Sequence, residues 1–360
     1  MNVWRWLGAS MFVVVLGLGI SVQGQETGKK DPKQDPKAGD KKQPDKQPPE
    51  KAAGVTLPFK AFQGTAPFYQ EMQTSTDQTM KVSNMTVTQK QSQTFWVEWT
   101  PQASKDAADY VVKQKIIGVK MDIEIGGNKI SYDSTSKEPP PANPLTDFFK
   151  QLVGSEFTLH VDKKTLTVKK IEGQEDFINK LSKANPALQP LLKAILSEKA
   201  LQQMADPIFA VIPAGGVIPP PKDPKDDKSK PEWKKETKLD MGPIGVYTTT
   251  YTYTDEGFKK DSKILREIGV STSLEYAAPA AKTSTEGLPF RIASGKLKSD
   301  KSSGSILFDI ENGRIQESNL TLELSGDLVI EIAGMTTDVN LRQTQKSSLK
   351  TDNKKPAWAK

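Results

Sequence analysis

The feature that most limits the fold of this chain is an apolar side chain at every second position over long stretches. Met121, Ile123 and Ile125, for example, alternate with Asp122 and Glu124. A period of two places apolar side chains on one face of a β-strand and polar side chains on the other. The same pattern recurs at Phe95-Val97-Trp99, Ile306-Phe308-Ile310, Leu320-Leu322-Leu324 and Leu328-Ile330-Ile332. Strands that bury one face and wet the other are typical of antiparallel sheets.

Glycine-containing segments separate these strands and predict the turns. Gly126-Gly127-Asn128, Glu311-Asn312-Gly313 and Ser325-Gly326-Asp327 each follow an alternating run, and Gly334 follows Ile332. Glycine, asparagine and aspartate favour tight turns because they tolerate positive φ. We therefore expect strand ends at all four positions. Gln- and Thr-rich strands occur in both halves of the chain.

The middle of the chain has a helical period instead. Asn143-Pro144 predicts a helix start, an apolar stripe follows from Leu145 to Val153, and Gly154 ends it. A hairpin over Glu156–Val161 and Thr165–Ile171 comes next, and then two or three short helices, the last capped by Ser197. Helices this short are marginal alone, so they must dock on the apolar face of the sheet.

These patterns predict an α+β fold that is predominantly antiparallel β, a curved sheet or half-barrel with a central insert of short helices packed on its apolar face. Two interpretations of the insert stay open, since the helices either complete the core or form a lid over an apolar cavity. In the second case they line a ligand site. Its lining residues are then Phe148, Phe149, Leu152, Leu192 and Ile195.

The N-terminus predicts export. Arg5 precedes an apolar run, and Val22-Gln23-Gly24 fits a peptidase site, which predicts a signal peptide over residues 1–24. The alternative is an uncleaved anchor. Residues 25–54 are a Lys/Pro-rich spacer expected to be disordered, either contacting the cell wall or only aiding solubility. We expect one β-rich domain over 55–350 with the helical insert 143–210 and a Pro/Lys-rich loop 213–231, followed by a flexible tail over 351–360.

Composition excludes several classes of site. The chain has no Cys and one His, so it lacks the residues for a disulfide framework, a thiol nucleophile or a Cys- or His-rich metal site. Its net charge is +6, but much of the Lys excess lies in the spacer and the loop, where acidic residues are interleaved. Nucleic-acid binding needs a basic face on a folded module, so we expect no nucleic-acid partner.

No residue set predicts catalysis. His160 lies between Leu159 and Val161 on an alternating strand and therefore points to the polar face. Asp122 and Glu124 share one strand face, where carboxylates usually meet water. The tyrosines Tyr247, Tyr251 and Tyr253 also share a face, which either stacks on sugars or packs under a neighbouring layer. We expect no enzyme activity, metal or cofactor.

Several sequence segments resemble those of an uncharacterised family of exported planctomycete proteins. They are Thr88–Trp99, Leu181–Leu192, Leu239–Gly245 and Ser305–Arg314. The resemblance covers roughly residues 57–350 and implies an exported, β-rich domain without an assigned activity. The layout is also similar in architecture to half-barrel lipoprotein carriers, although it lacks their lipidation Cys.

Together these features predict a cell-envelope binding or carrier protein, periplasmic or extracellular, for a lipid or other apolar or amphiphilic ligand. The alternative is a structural or adhesive envelope protein without a small ligand. The oligomeric state does not follow from the sequence.

Overall fold

A computed structural model describes residues 55–359 except 83–84, 140–142, 184, 206–210, 224, 227, 284, 286–287, 289 and 333. The predicted signal peptide and spacer lie outside the described residues, as does the end of the predicted insert. The architecture is mostly antiparallel β with a few short helices, as the sequence predicts. In the described part of the chain, twelve strands form one barrel-like sheet.

The strands are long at the centre of the sheet and short at its edges. Their bounds are β1 Phe68–Val82, β2 Met85–Gln102, β3 Asp109–Ile125, β4 Asn128–Asp133, β5 Glu156–Asp162, β6 Val168–Glu172, β7 Glu232–Asp240, β8 Val246–Phe258, β9 Leu265–Ala277, β10 Arg291–Asp309, β11 Arg314–Ile332 and β12 Met335–Asp352. Their order is β6-β5-β3-β2-β1-β12-β11-β10-β9-β8-β7, with β4 paired to β3 beside β5. The first and last long strands therefore pair at the middle of the sheet.

The described α-helices lie in the predicted insert. They are α1 Pro144–Leu152, α2 Gln174–Ser182, α3 Gln189–Ile195 and α4 Glu198–Ala205. The Asn143 side chain accepts a hydrogen bond from the Leu145 amide, and the Ser197 hydroxyl accepts one from the Ala200 amide. Both predicted N-caps are thus present, and Gly154 follows α1 at φ 75°. Among the described residues, every helix is too short or too polar to cross a lipid bilayer.

One helix joins the two edges of the sheet. Helix α4 lies against both β6 and β7. The Gln202 Nε2 donates to the Lys169 carbonyl of β6 over 3.2 Å, and the Gln203 Oε1 accepts from the Asp240 amide of β7 over 3.0 Å. Unpaired strand edges need partners, and here side-chain amides provide them. The sheet is therefore rolled, with a helix at its seam.

The predicted turns are present with one exception. Gly126-Gly127 joins β3 to β4, residues 310–313 join β10 to β11, and Gly334 lies between β11 and β12. The turn predicted at Ser325-Gly326-Asp327 is wrong, because β11 runs straight through it. Gly326 pairs with Leu297 on one side and Leu341 on the other. The apolar alternation stays in phase across Gly326, from Leu324 to Leu328, and this continuity outweighs the local turn chemistry.

Two segments outside the sheet pack at the end where β1 begins. The Leu57 amide donates to the Gly216 carbonyl, and Leu57 and Ile218 are buried. The predicted loop 213–231 is therefore attached at its first residues. At the other terminus, Trp358 of the predicted flexible tail lies over Gly118 and 5.0 Å from the Trp96 ring. A Cβ at position 118 would clash with that indole, so this contact requires glycine.

Candidate functional site

The inner face of the rolled sheet is the face on which helix α1 packs. Phe149 of α1 lies with its ring 6.3 Å from that of Tyr132 on β4, and Tyr132 pairs with Met121 on β3. Every second residue in phase with Met121 therefore belongs to this inner face, which continues across β2, β1, β12 and β11. Most of it is apolar and buried.

At its centre, the inner face carries nine adjacent uncharged polar residues, which we call the glutamine grid. They lie in three rows across β2, β1 and β12: Gln89, Gln78 and Gln343; Gln91, Thr76 and Gln345; Gln93, Thr74 and Ser347. The six glutamines and Thr76 expose only 2–4% of their surface. Side-chain amides are rarely buried to this degree without hydrogen bonds.

Apolar residues surround the grid on all four sides. The row toward the β1–β2 and β11–β12 turns is Val87, Met80 and Leu341, and the row at the opposite end is Phe95, Met72 and Leu349. The two flanking strands contribute Met121, Ile123 and Ile125 on β3 and Leu320, Leu322 and Leu324 on β11. All twelve are buried or packed against the core. The grid is thus an island of neutral polar groups in an apolar wall.

The hydrogen bonds within the grid are incomplete. Gln91 Nε2 donates to Gln93 Oε1 over 3.1 Å, and Gln343 Nε2 donates to Gln345 Oε1 over 3.4 Å. Within the described part of the chain, six buried atoms of the grid have no hydrogen-bond partner: Nε2 and Oε1 of Gln78, Nε2 and Oε1 of Gln89, Oε1 of Gln91 and Oε1 of Gln343. A buried polar group without a partner lowers the free energy of unfolding by roughly 1–3 kcal/mol, so the grid destabilises the folded protein.

Another buried glutamine, Gln70, lies outside the grid on the same face of β1, and both of its side-chain polar atoms have a hydrogen-bond partner. Its Oε1 accepts from Trp99 Nε1 over 2.9 Å, and its Nε2 donates to Thr351 Oγ1 over 3.2 Å. The Thr351 hydroxyl in turn donates to the Ile315 carbonyl over 2.7 Å. Gln70, near the start of β1, therefore has hydrogen-bond partners at both polar atoms, whereas Gln78 in the grid has none among the described residues.

The tyrosine row of β8 is also inside. Tyr247, Tyr251 and Tyr253 are buried, which favours packing under a neighbouring layer over stacking on sugars. Burial raises the pKa of all three phenols and of Tyr276 on β9. The Tyr276 hydroxyl donates to the Ile244 carbonyl over 2.8 Å, whereas the Tyr247 hydroxyl has no hydrogen-bond partner among the residues described.

The residues predicted to line an apolar ligand cavity lie on α1 and α3, and all are buried. They are Phe148, Phe149, Leu152, Leu192 and Ile195. Phe149 is fully enclosed and lies with its ring 6.0 Å from that of Phe148. Their role in ligand binding stays a prediction. A cavity elsewhere, at the start of β1 between Phe68, Trp99 and Arg314, has a volume of about 10 Å³, enough for one water molecule.

The other polar residues singled out by the sequence lie on the outer face. His160 Nε2 is 3.3 Å from Glu172 Oε1, and both side chains are partly exposed. The Lys170 ammonium, and to a lesser extent His160, lowers the pKa of Glu172. Glu124 lies 3.8 Å from Lys129. These are surface pairs, which typically contribute little to stability.

The glutamine grid was missed by the sequence analysis, although its signal was present. Gln89, Gln91 and Gln93 have the same parity as Phe95, Val97 and Trp99, so one strand places all six on one face. Gln343 and Gln345 share the parity of Leu341 in the same way. Polar residues in phase with a buried apolar run point to an interior polar site.

Comparison with sequence families gives one match. The model of a family of unknown function, DUF6263, matches residues 107–315. The matched range starts just before β3 and ends at the start of β11, so it leaves out β1, β2 and β12. No curated protein sequence matches the chain.

Solved structures give weak likenesses. The structure titled for lipid–protein interactions in lipovitellin has a TM-score of 0.40 at 10% identity, with 82% of this chain and 26% of that chain covered. DynF from the dynemicin biosynthesis pathway of Micromonospora chersina has a TM-score of 0.17 at 9% identity, with 83% and 85% covered. OpdQ of Pseudomonas aeruginosa has a TM-score of 0.19 at 5% identity, with 79% and 99% covered. The chain thus spans about a quarter of the lipovitellin chain, and these scores are too low to transfer a function.

Proposed function

The chain belongs to DUF6263, a family of unknown function, and we propose that it is a binding or carrier protein that holds an amphiphilic ligand inside its rolled sheet. One observation supports this above all. Six amide atoms of the glutamine grid are buried without a partner, while apolar side chains surround them. Such a surface matches a molecule that is apolar over most of its length and polar at one part.

The energetic cost of the grid favours a function over a structural role. Replacing a buried polar group that has no partner by an apolar one of similar size usually stabilises a protein. Leucine or methionine at Gln78 would continue the apolar wall formed by Met80 and Met72 on the same strand. Binding sites commonly sacrifice stability in this way.

We further propose that the protein acts in the cell envelope, exported to the periplasm or the outside, and that it has no catalytic activity. Export follows from the predicted signal peptide, and planctomycete origin and export both stay predictions. N-terminal sequencing of the mature protein should give a start near Gln25. A start at Met1 in a membrane-bound form would instead favour the uncleaved anchor.

Native mass spectrometry of the protein purified from its host tests the binding proposal. We expect an amphiphile to co-purify with the wild type and to be lost in the Gln78→Leu/Gln89→Leu variant. The matched control is Gln73→Leu, because Gln73 lies on β1 but on the exposed outer face. Absence of any bound molecule from the wild type would favour the alternative, a structural or adhesive envelope protein.

A further inference from the structure

We infer that the polar part of the ligand is an uncharged, hydroxyl-rich group such as a sugar, attached to an apolar chain. This inference rests on the proposed function and names the class of ligand that the glutamine grid would select. It follows from the hydrogen-bonding inventory of the grid, from its lack of charge and from its dimensions.

The inventory favours a ligand that donates. Four oxygens without a partner accept hydrogen bonds, on Gln78, Gln89, Gln91 and Gln343, while two amide nitrogens donate. Carboxylates, phosphates and esters only accept, so they would leave most of these oxygens unbonded. A hydroxyl group both donates and accepts, and a set of adjacent hydroxyls can satisfy both kinds of atom.

The lack of charge excludes ionic head groups. The nine grid positions and the twelve apolar positions around them carry no Asp, Glu, Lys, Arg or His. Transfer of a charged group into such surroundings is costly unless an opposite charge pairs with it. An ammonium group would suit the four oxygens as a donor, but it would lack a counter-ion here.

The dimensions of the grid suit one or two sugar rings. The four glutamines with unpartnered atoms lie in two rows on three neighbouring strands. Strand spacing of about 4.8 Å and a repeat of about 6.8 Å for two residues give an area of roughly 10 by 7 Å. The apolar residues beyond it leave the rest of the ligand in contact with Met80, Phe95 and their neighbours.

Three probes with the same dodecyl chain test the inference by calorimetry below their micelle-forming concentrations. They are dodecyl maltoside, tridecanoate and dodecylammonium, which carry the same twelve-carbon alkyl chain and differ only in the head group. We expect the maltoside to bind the full chain at least about tenfold more tightly than either charged probe. We also expect its affinity to be the same at pH 6 and pH 8, because the grid has no titratable group.

The Gln78→Leu/Gln89→Leu variant shows whether the grid creates the preference. We expect its melting temperature to be at or above that of the wild type, with the preference for maltoside reduced to within about threefold. Gln89→Leu alone serves as a second variant, and Gln73→Leu as the matched control should keep the full preference. An unchanged preference in the double variant would overturn the inference.

The outcomes separate the inference from the proposed function. Tighter binding of tridecanoate or dodecylammonium would refute the uncharged head group and leave the binding function standing. If none of the three probes binds and no amphiphile co-purifies, both are refuted.

Discussion

Gln70 and Gln78 lie on the same face of β1, eight residues apart, and their hydrogen bonding is opposite. Gln70 links Trp99 to Thr351 and is bonded at both side-chain atoms. Gln78 is equally buried and bonded at neither. Burial alone therefore does not distinguish these two amides, whereas the number of hydrogen-bond partners does. Four measurements on buried side chains extend this comparison, from the largest expected effect to the smallest.

The largest effect on stability is expected at high pH, where the buried tyrosine hydroxyls would have to ionise. Burial raises the pKa of Tyr247, Tyr251, Tyr253 and Tyr276, so the native state keeps their protons while the unfolded chain loses them near pH 10. Stability is fully present below that pH and falls as pH rises above it. We expect cooperative unfolding in base. The absorbance of the tyrosine phenolates should increase over the same pH range in which the β-sheet signal in circular dichroism disappears. Ionisation of these tyrosines before unfolding would contradict their burial.

The next effect tests whether the helical insert is solid core. Phe149 is fully buried against Tyr132 and Phe148, so Phe149→Ala should lower the free energy of unfolding by about 3–5 kcal/mol. Denaturant melts measure this, with the exposed Lys150→Ala on the same helix as control. A loss of only about 1–2 kcal/mol would place Phe149 on a lid over a cavity, and the ligand site would then extend to α1.

The two glutamines themselves give the direct comparison. Gln70→Leu leaves the Trp99 indole N–H buried without an acceptor, so we expect a loss of about 2 kcal/mol. Gln78→Leu removes two atoms that have no partner, so we expect no loss or a gain of up to about 1 kcal/mol. Denaturant melts of both variants without ligand decide the matter. Equal losses in the two would mean that Gln78 is structural as well.

The smallest effect concerns two neighbouring tyrosines, whose ring centroids lie 5.0 Å apart. Tyr276→Phe removes the bond to the Ile244 carbonyl and should cost about 1 kcal/mol, whereas Tyr247→Phe removes a hydroxyl without a partner and should cost almost nothing. Thermal melts of the two variants provide the measurement. A larger loss for Tyr247→Phe would show that its hydroxyl is bonded in solution.

Much of the fold could be predicted because its information is local. Alternation fixed the strand faces, caps such as Asn143 placed helix starts, and Gly126-Gly127 marked a hairpin. At Ser325-Gly326-Asp327 the residue types predict a turn, whereas the alternation around them predicts a continuous strand. The strand forms because Gly326 pairs with a neighbouring strand on each side. That pairing involves β10 and β12 and cannot be inferred from the segment alone.

The candidate site was less predictable for a related reason. A row such as Gln89, Gln78 and Gln343 joins residues that lie far apart in the chain, so it exists only once the register of three strands is known. Each glutamine by itself suggests a wet strand face. The seam at α4 was likewise invisible, because Gln202 and Gln203 acquire their roles from strands on either side of the insert.

The pairing of β1 with β12 also governs how the molecule can form. Fourteen residue pairs join Tyr69–Val82 to Val339–Asp352, so the middle of the sheet is assembled from strands near the two ends of the described chain. Such contacts between distant residues make folding slow, since a long loop must close before any of them forms. While the chain is being synthesised, the edge of β1 that pairs with β12 has no neighbouring strand until β12 has been made.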